Sequence, residues 1–202
     1  KKVNLTEEKN LTGCCGIFCG LCAKYQSKAP SRCIGCRLGE QHSWRSIYMC
    51  CVVKKGFETC IECTEYPCER YVRRKWGTDQ VSRVAQEDLV RIKRFGLDAW
   101  LEEQRERRLL VEELLANYNE GRSMSFYCLA GTLMPVDLLY MALVEIKAMP
   151  LDDSDVKAKA KALRLIIQEL ASKSGIELKL RKKTKEGDWG RSPQILSEGG
   201  RV

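Results

Sequence analysis

Eleven of the chain's twelve cysteines fall between Cys14 and Cys68. They read Cys14-Cys15-x3-Cys19-x2-Cys22, Cys33-x2-Cys36, Cys50-Cys51, Cys60-x2-Cys63 and Cys68, with Cys128 alone downstream. A Cys-x2-Cys turn aims two sulfurs at one point, and two such turns make a tetrahedral thiolate cage. Three such pairs in one stretch predict a metal-binding module. They specify no reaction.

The crowding of the thiols also bears on compartment. A secreted chain with this many cysteines would pair them as disulfides. Here they gather at one end, six of them in Cys-x2-Cys pairs, while the rest of the chain has the apolar content for an ordinary core. That favours reduced thiolates and a cytoplasmic protein. No apolar run approaches the roughly 18 residues that span a bilayer, so no membrane is expected. The opening residues carry no signal-peptide apolar stretch.

The formal charge of +8 invites a nucleic-acid reading. Residues 1–78 hold 14 Lys+Arg against 7 Asp+Glu, a net +7, and residues 79–202 hold 21 against 20, a net +1. A divalent ion held by four thiolates is itself −2. Two such sites leave about +4, an ordinary surface charge. Nucleic-acid binding is therefore permitted but not implied.

The expected fold is mainly α, a small α+β arrangement. An N-terminal Cys-rich module over 13–78 is followed by a helical domain over 79–183 with one C-terminal strand. Residues 184–202 are expected to form a loose tail, and residues 1–13 a tether. Gly16, Gly20, Pro30, Gly35, Gly39, Gly56 and Pro67 break the module into short elements. Ile47–Val53 reads as a short strand or a helical turn. Glu65–Cys68 reads as a turn, and Glu69–Trp76 as a helix leading out.

Helical periodicity then sets in. Val81, Ala85, Leu89, Ile92 and Phe95 mark a first helix closed by Gly96. Asp98 is the expected N-cap of a second, which runs through Leu109, Leu110, Leu114, Leu115 and Tyr118. Ser125–Met134 is short and apolar. Pro135 opens a helix carrying Leu138, Leu139, Ala142, Leu143 and Ile146. Asp152–Asp155 opens another, with Val156, Ala160, Leu163, Ile167 and Leu170 on one face, closed by Gly175. Ile176–Arg181 alternates strictly and reads as the strand.

Several stretches together resemble a known family. Cys15-Gly16-x2-Cys19-x2-Cys22, Cys33-x-Gly35-Cys36 and Lys55-Gly56-x2-Thr59-Cys60-x2-Cys63-x3-Pro67-Cys68-Glu69 are similar to the Cys-rich bacterial and archaeal family called domain of unknown function 3795. So are Arg94–Gln104, Asn119–Leu129 and Gly175–Arg181. The likeness spans roughly residues 13–183. It implies a Cys-rich metal-binding domain and no assigned activity. In the family another Cys often stands a few residues before the position of Cys51. This chain has Ser46 there, with Cys50 the candidate replacement.

Matching that motif implies nine candidate ligands: Cys15, Cys19, Cys22, Cys33, Cys36, Cys51, Cys60, Cys63 and Cys68. Cys50 and His42 are possible additions. One grouping sets Cys33 and Cys36 with Cys60 and Cys63, leaving Cys15, Cys19, Cys22 and either Cys51 or Cys68 for a second site. Cys14 precedes the motif and reads as a packed apolar residue. About two structural zinc ions per chain are the first expectation. A [4Fe–4S] cluster is the alternative, since Cys15-x3-Cys19-x2-Cys22 also suits one. The same spacing occurs in radical S-adenosylmethionine enzymes, but these need a long alternation of strands and helices after it.

Other features have plainer readings than their sharp ones. Cys50-Cys51 reads as one ligand and one packed neighbour before it reads as a redox switch. A thioredoxin-like dithiol needs a flanking βαβ pattern, which is missing. Cys128 reads as core before nucleophile, and His42, the only histidine, as a loop residue before ligand. Arg122 and the basic run Lys179–Lys185 read as solvated surface. No Gly-rich phosphate loop, paired-carboxylate motif or Ser/His/Asp set stands out. The sequence thus predicts a structural zinc protein that binds a protein partner and does no catalysis. An iron–sulfur redox protein is the alternative, and a nucleic-acid binder the second.

Overall fold

The computed structural model describes residues 4–35, 37–39, 45–73, 80–152 and 154–179. Cys36, His42, the expected domain boundary at 78/79 and the expected tail over 184–202 lie outside the described residues. The basic run beyond Lys179 lies outside them too.

The described chain is mainly helical. Helix α1 covers Thr6–Leu11, α2 Gln80–Phe95, α3 Leu97–Tyr118, α4 Met124–Leu133, α5 Val136–Ala148 and α6 Val156–Lys173. The cysteine-rich stretch between α1 and α2 is built of short turns. Cys19–Leu21 and Cys60–Glu62 are 3-10 turns. Ala23–Gln26, Ser46–Tyr48 and Glu69–Val72 are short helices. Met49–Lys54 winds more loosely, as a π-helix, so Ile47–Val53 is a helical segment and not a strand.

The long helices follow the apolar period. On α2, Ala85, Leu89 and Ile92 are buried. Phe95 keeps the spacing but is 59 % exposed. The reason is Gly96, whose φ of 89° reverses the chain within one residue, so α3 starts at once at Leu97. Asp98 therefore sits in the first turn of α3, and Gly96, not Asp98, holds the N-cap position. A carboxylate there still complements the helix dipole. Pro135 likewise takes the N-cap place of α5, one residue before its first turn.

The expected ends of α6 are both present. The Asp155 side chain accepts from the Ala158 N–H at 2.9 Å. At the other end Gly175, with φ of 67°, donates to the Ser172 carbonyl, and the Ile176 N–H reaches back to that of Ala171 at 2.8 Å. This paired closure is a Schellman motif.

Two further sequence expectations are corrected. The C-terminal strand is not formed over its described part: Ile176–Lys179 is irregular, Leu180 and Arg181 lie outside the described residues, and no strand occurs among the described residues beyond an isolated bridge between Thr12 and Phe18. Alternation alone cannot make a strand without a partner edge. Here Ile176 and Leu178 pack instead on the core of α3 to α6. The second correction concerns residues 4–13, the described part of the expected tether, which are packed against the fold. Leu11 is buried in the core, and Glu8 is 1 % exposed. Glu8 and Glu7 bind the guanidinium of Arg108 on α3 at 2.8 and 2.9 Å, and Glu112 binds its other amino group at 2.8 Å.

There are two cores. One joins Leu110, Leu114, Tyr127, Leu139, Leu143, Leu163 and Ile167 across α3 to α6. The other sets Leu11, Phe18, Leu21, Ile47 and Tyr71 against Ala85, Leu89, Trp100, Val111 and Cys128. The cysteine-rich stretch thus shares a core with α2, α3 and α4. Gly131 of α4 lies so close to α3 that a Cβ there would stand 2.2 Å from Val111 Cγ2.

Candidate metal centre

Three segments converge on one point. Thr12 and Phe18 bridge as in a small hairpin, with the Gly13 N–H donating to the Ile17 carbonyl at 2.7 Å. Cys14 and Cys15 sit at its tip, followed by Gly16 at φ 92°. A Cβ on Gly16 would lie 2.0 Å from the Ala85 carbonyl oxygen. Only glycine lets this tip lie directly on α2.

The second segment is the π-turn that carries Cys50 and Cys51. Its end is tied by the Phe57 N–H, which donates to the Cys51 carbonyl at 2.9 Å. The third is the Cys60-x2-Cys63 turn. Thr59 opens it with a capping box: its N–H donates to Glu62 Oε1 at 2.6 Å, and its hydroxyl lies 3.1 Å from the same oxygen. The Cys63 N–H then closes on the Cys60 carbonyl at 3.2 Å. Finally the Cys60 N–H donates to the Cys14 carbonyl at 2.8 Å, joining the third segment to the first.

The result is a cluster of Cys14, Cys51 and Cys60, whose Sγ atoms all lie within 4.8 Å of one another. Cys14 and Cys51 are each 4 % exposed, and Cys60 is half-buried. Such a group could hold a metal ion. Three thiolates this close cannot coexist without a cation, because like charges in a buried site repel strongly. The protons distribute accordingly. Hydrogen bonds from Cys14 and then Cys60 pull Cys51 down to about 4. Cys14 is pushed far up by the hydrogen bonds it gives Cys51 and Cys60 and by burial. Cys60 is drawn down by Cys14, but Cys51, burial and the neighbouring charges outweigh this and raise it.

The other candidates have separate places. Cys63 Sγ accepts from Lys55 Nζ at 3.0 Å, and the same ammonium pairs with Glu65 at 2.8 Å. These two partners, Glu65 first, raise the Lys55 pKa. Cys68 stands at the N-cap of Glu69–Val72, with its carbonyl accepting the Tyr71 N–H at 2.9 Å. Cys15 is buried beside the cluster, and its carbonyl accepts the Tyr71 hydroxyl at 2.9 Å. Burial pushes that tyrosine's pKa well up.

Cys19 and Cys22 form a second Cys-x2-Cys turn, the Cys22 N–H closing on the Cys19 carbonyl at 2.9 Å. Cys33 is half-buried and fixed by its N–H on the Lys24 carbonyl at 3.1 Å. It does not join Cys60 in the cluster. Cys128 is wholly buried on α4, and burial, with Cys22 adding to it, pushes its thiol up to about 12.

A cleft opens beside the cluster. Cys50, Cys51, Cys60, Cys63 and Cys68 all line it, together with Lys55, Glu65 and Arg70. Ile47, Phe57, Tyr66 and Tyr71 supply its apolar wall, with Tyr66 and Tyr71 packed edge to face at 4.9 Å.

By motif, Cys51 and Cys60 count among the ligands and Cys14 among the packed residues. The fold sets all three together. The vicinal pair Cys14-Cys15 was the available signal, since one of two neighbours at a hairpin tip must face the opposite way from the other. Among the described residues no helix is long and apolar enough to cross a membrane. No family model, no curated protein and no solved structure matches this chain.

Proposed function

We propose that Cys14, Cys51 and Cys60 hold a zinc ion, and that this chain is a zinc–thiolate protein. The supporting observation is the mutual closeness of three sulfurs brought from three separate segments. Zn–S bonds of about 2.3 Å set sulfurs about 3.8 Å apart around one tetrahedral ion. In a [4Fe–4S] cluster each cysteine binds its own iron corner, and the sulfurs stand farther apart. The iron–sulfur reading is therefore second.

The ion's work is to fasten the π-turn and the Cys60-x2-Cys63 turn to the hairpin tip on α2. A second zinc is expected from the spacing of the remaining pairs, Cys19/Cys22 and Cys33/Cys36, alone; among the described residues Cys19, Cys22 and Cys33 form no three-sulfur group. Nothing in the donor set offers a general base or an acid, so the module presents a rigid surface to a protein partner. These properties accord with membership of the family called domain of unknown function 3795.

The test is zinc and iron content of protein prepared without oxygen. About two zinc ions per chain, without iron or labile sulfide, are expected. Cys60→Ser should lose one of them. An unchanged zinc content in that variant, or stoichiometric iron in the parent, ends this reading.

A further inference from the structure

Three sulfurs do not complete a tetrahedral ion, and the residues around the cluster bear on what does. Cys51 and Cys60 are both ligand candidates and both line the cleft, so the cleft borders the three-sulfur group. Cys15, next to Cys14 in sequence, stands outside the three-sulfur group, and Cys63, three residues from Cys60, is engaged by Lys55 at 3.0 Å. Cys50 and Cys68 line the same cleft but stand outside the three-sulfur group.

Resting on the zinc reading above, we propose that this ion keeps its fourth position for an exogenous small thiol, bound as its thiolate and entering through the cleft. Charge favours an anion there. A divalent ion with three thiolates is −1, and a fourth anionic ligand makes it −2, facing a cleft wall on which Lys55, paired with Glu65 at 2.8 Å, and Arg70 together leave one net positive charge. The apolar wall of Ile47, Phe57 and Tyr66 selects among anions. It disfavours strongly hydrated carboxylate or phosphate and suits a soft, weakly hydrated sulfur. Size limits the ligand further. The half-open cleft holds about 30 Å³ of room, enough for one or two water-sized groups, so it takes the sulfur end of a small molecule. Three protein ligands with an open fourth position are the pattern of reactive zinc sites.

The experiment uses the full chain, reduced with a phosphine and loaded with Co²⁺ in place of zinc. The thiol probe is 2-mercaptoethanol, with acetate as the control anion. Thiol should raise the sulfur-to-cobalt charge-transfer absorption of this site by about one third, from three thiolates to four. Acetate should not. Cys63→Ser and Cys68→Ser should keep the parent's absorption and its response to thiol. Lys55→Ala should retain cobalt but weaken the thiol response several-fold.

A parent spectrum that ignores thiol overturns the proposal. So does one that drops by one thiolate in Cys63→Ser or Cys68→Ser, because the protein then supplies the fourth ligand itself. If Cys60→Ser binds cobalt as the parent does, the zinc reading has failed, and the proposal with it.

Discussion

The backbone of Cys60 is tied to that of Cys14: its N–H donates to the Cys14 carbonyl oxygen at 2.8 Å, across 46 residues of chain (60 − 14). This bond sets the two side chains on the same side of the joint. With Cys51 swung in by the π-turn, the three sulfurs meet. Main-chain hydrogen bonds thus hold the three sulfur-bearing residues together.

Cys14→Ser should remove one zinc per chain, as Cys60→Ser does. Cys128→Ser should leave zinc content unchanged. It should still lower stability by about 1–3 kcal/mol, because the hydroxyl is buried in an apolar site. Elemental analysis of the three variants, with urea unfolding of Cys128→Ser, checks both statements.

Gly16→Ala should be severely destabilising. The new Cβ meets the Ala85 carbonyl oxygen at 2.0 Å, and φ of 92° is strained for any other residue. A loss of about 3 kcal/mol or more is expected by urea unfolding, together with weaker metal retention, because the hairpin tip must lift off α2.

Arg108→Ala should free α1. Glu8 is 1 % exposed and loses its cationic partner, which leaves a buried charge unpaired. The expected cost is about 3–5 kcal/mol. Limited proteolysis should cut within residues 4–12 in the variant and not in the parent. Resistance in both would show that apolar packing of Leu11 alone holds the segment.

Asp88 carries a pH dependence. Burial raises its pKa to about 6, against the opposing hydrogen bond from Trp100 Nε1 at 3.1 Å and the Arg91 and Arg107 charges. The folded state therefore holds this proton more tightly than the unfolded chain, whose carboxyl titrates near the ordinary 3.8. The favourable contribution is fully present below about pH 4 and is lost as pH rises through about 6. The two-unit difference corresponds to about 3 kcal/mol as an upper figure. Asp88→Asn keeps an acceptor for Trp100 and should flatten the stability curve between those limits. Unfolding of parent and variant across pH 4–7 measures the difference, in which metal-site titration common to both cancels.

The helices past residue 80 were legible in the sequence because burial imposes a 3.6-residue period on local residues. Asp155 and Gly175 marked the ends of α6 for an equally local reason, the unpaired N–H and C=O groups of a helix terminus. The alternating Ile176–Arg181 misled because a strand needs a partner edge, and partnership is not a local property. The charged Glu7 and Glu8 looked like tether residues because their partner, Arg108, lies 100 residues away from Glu8 in sequence.

The cysteines divide in the same way. Their spacing determined by itself that thiolates would be paired by tight turns, since Cys60-x2-Cys63 and Cys19-x2-Cys22 close through bonds within four residues. Which turns face one another depends on contacts no spacing encodes. Gly16 lying on Ala85, the π-turn folded back to Phe57, and the Cys60 bond to Cys14 bring Cys14 in and leave Cys33 out. The sequence alone determined that this protein is thiolate-rich and helical. The tertiary structure decided which sulfurs share a centre, because long-range packing, not chain proximity, fixes the direction in which each side chain points.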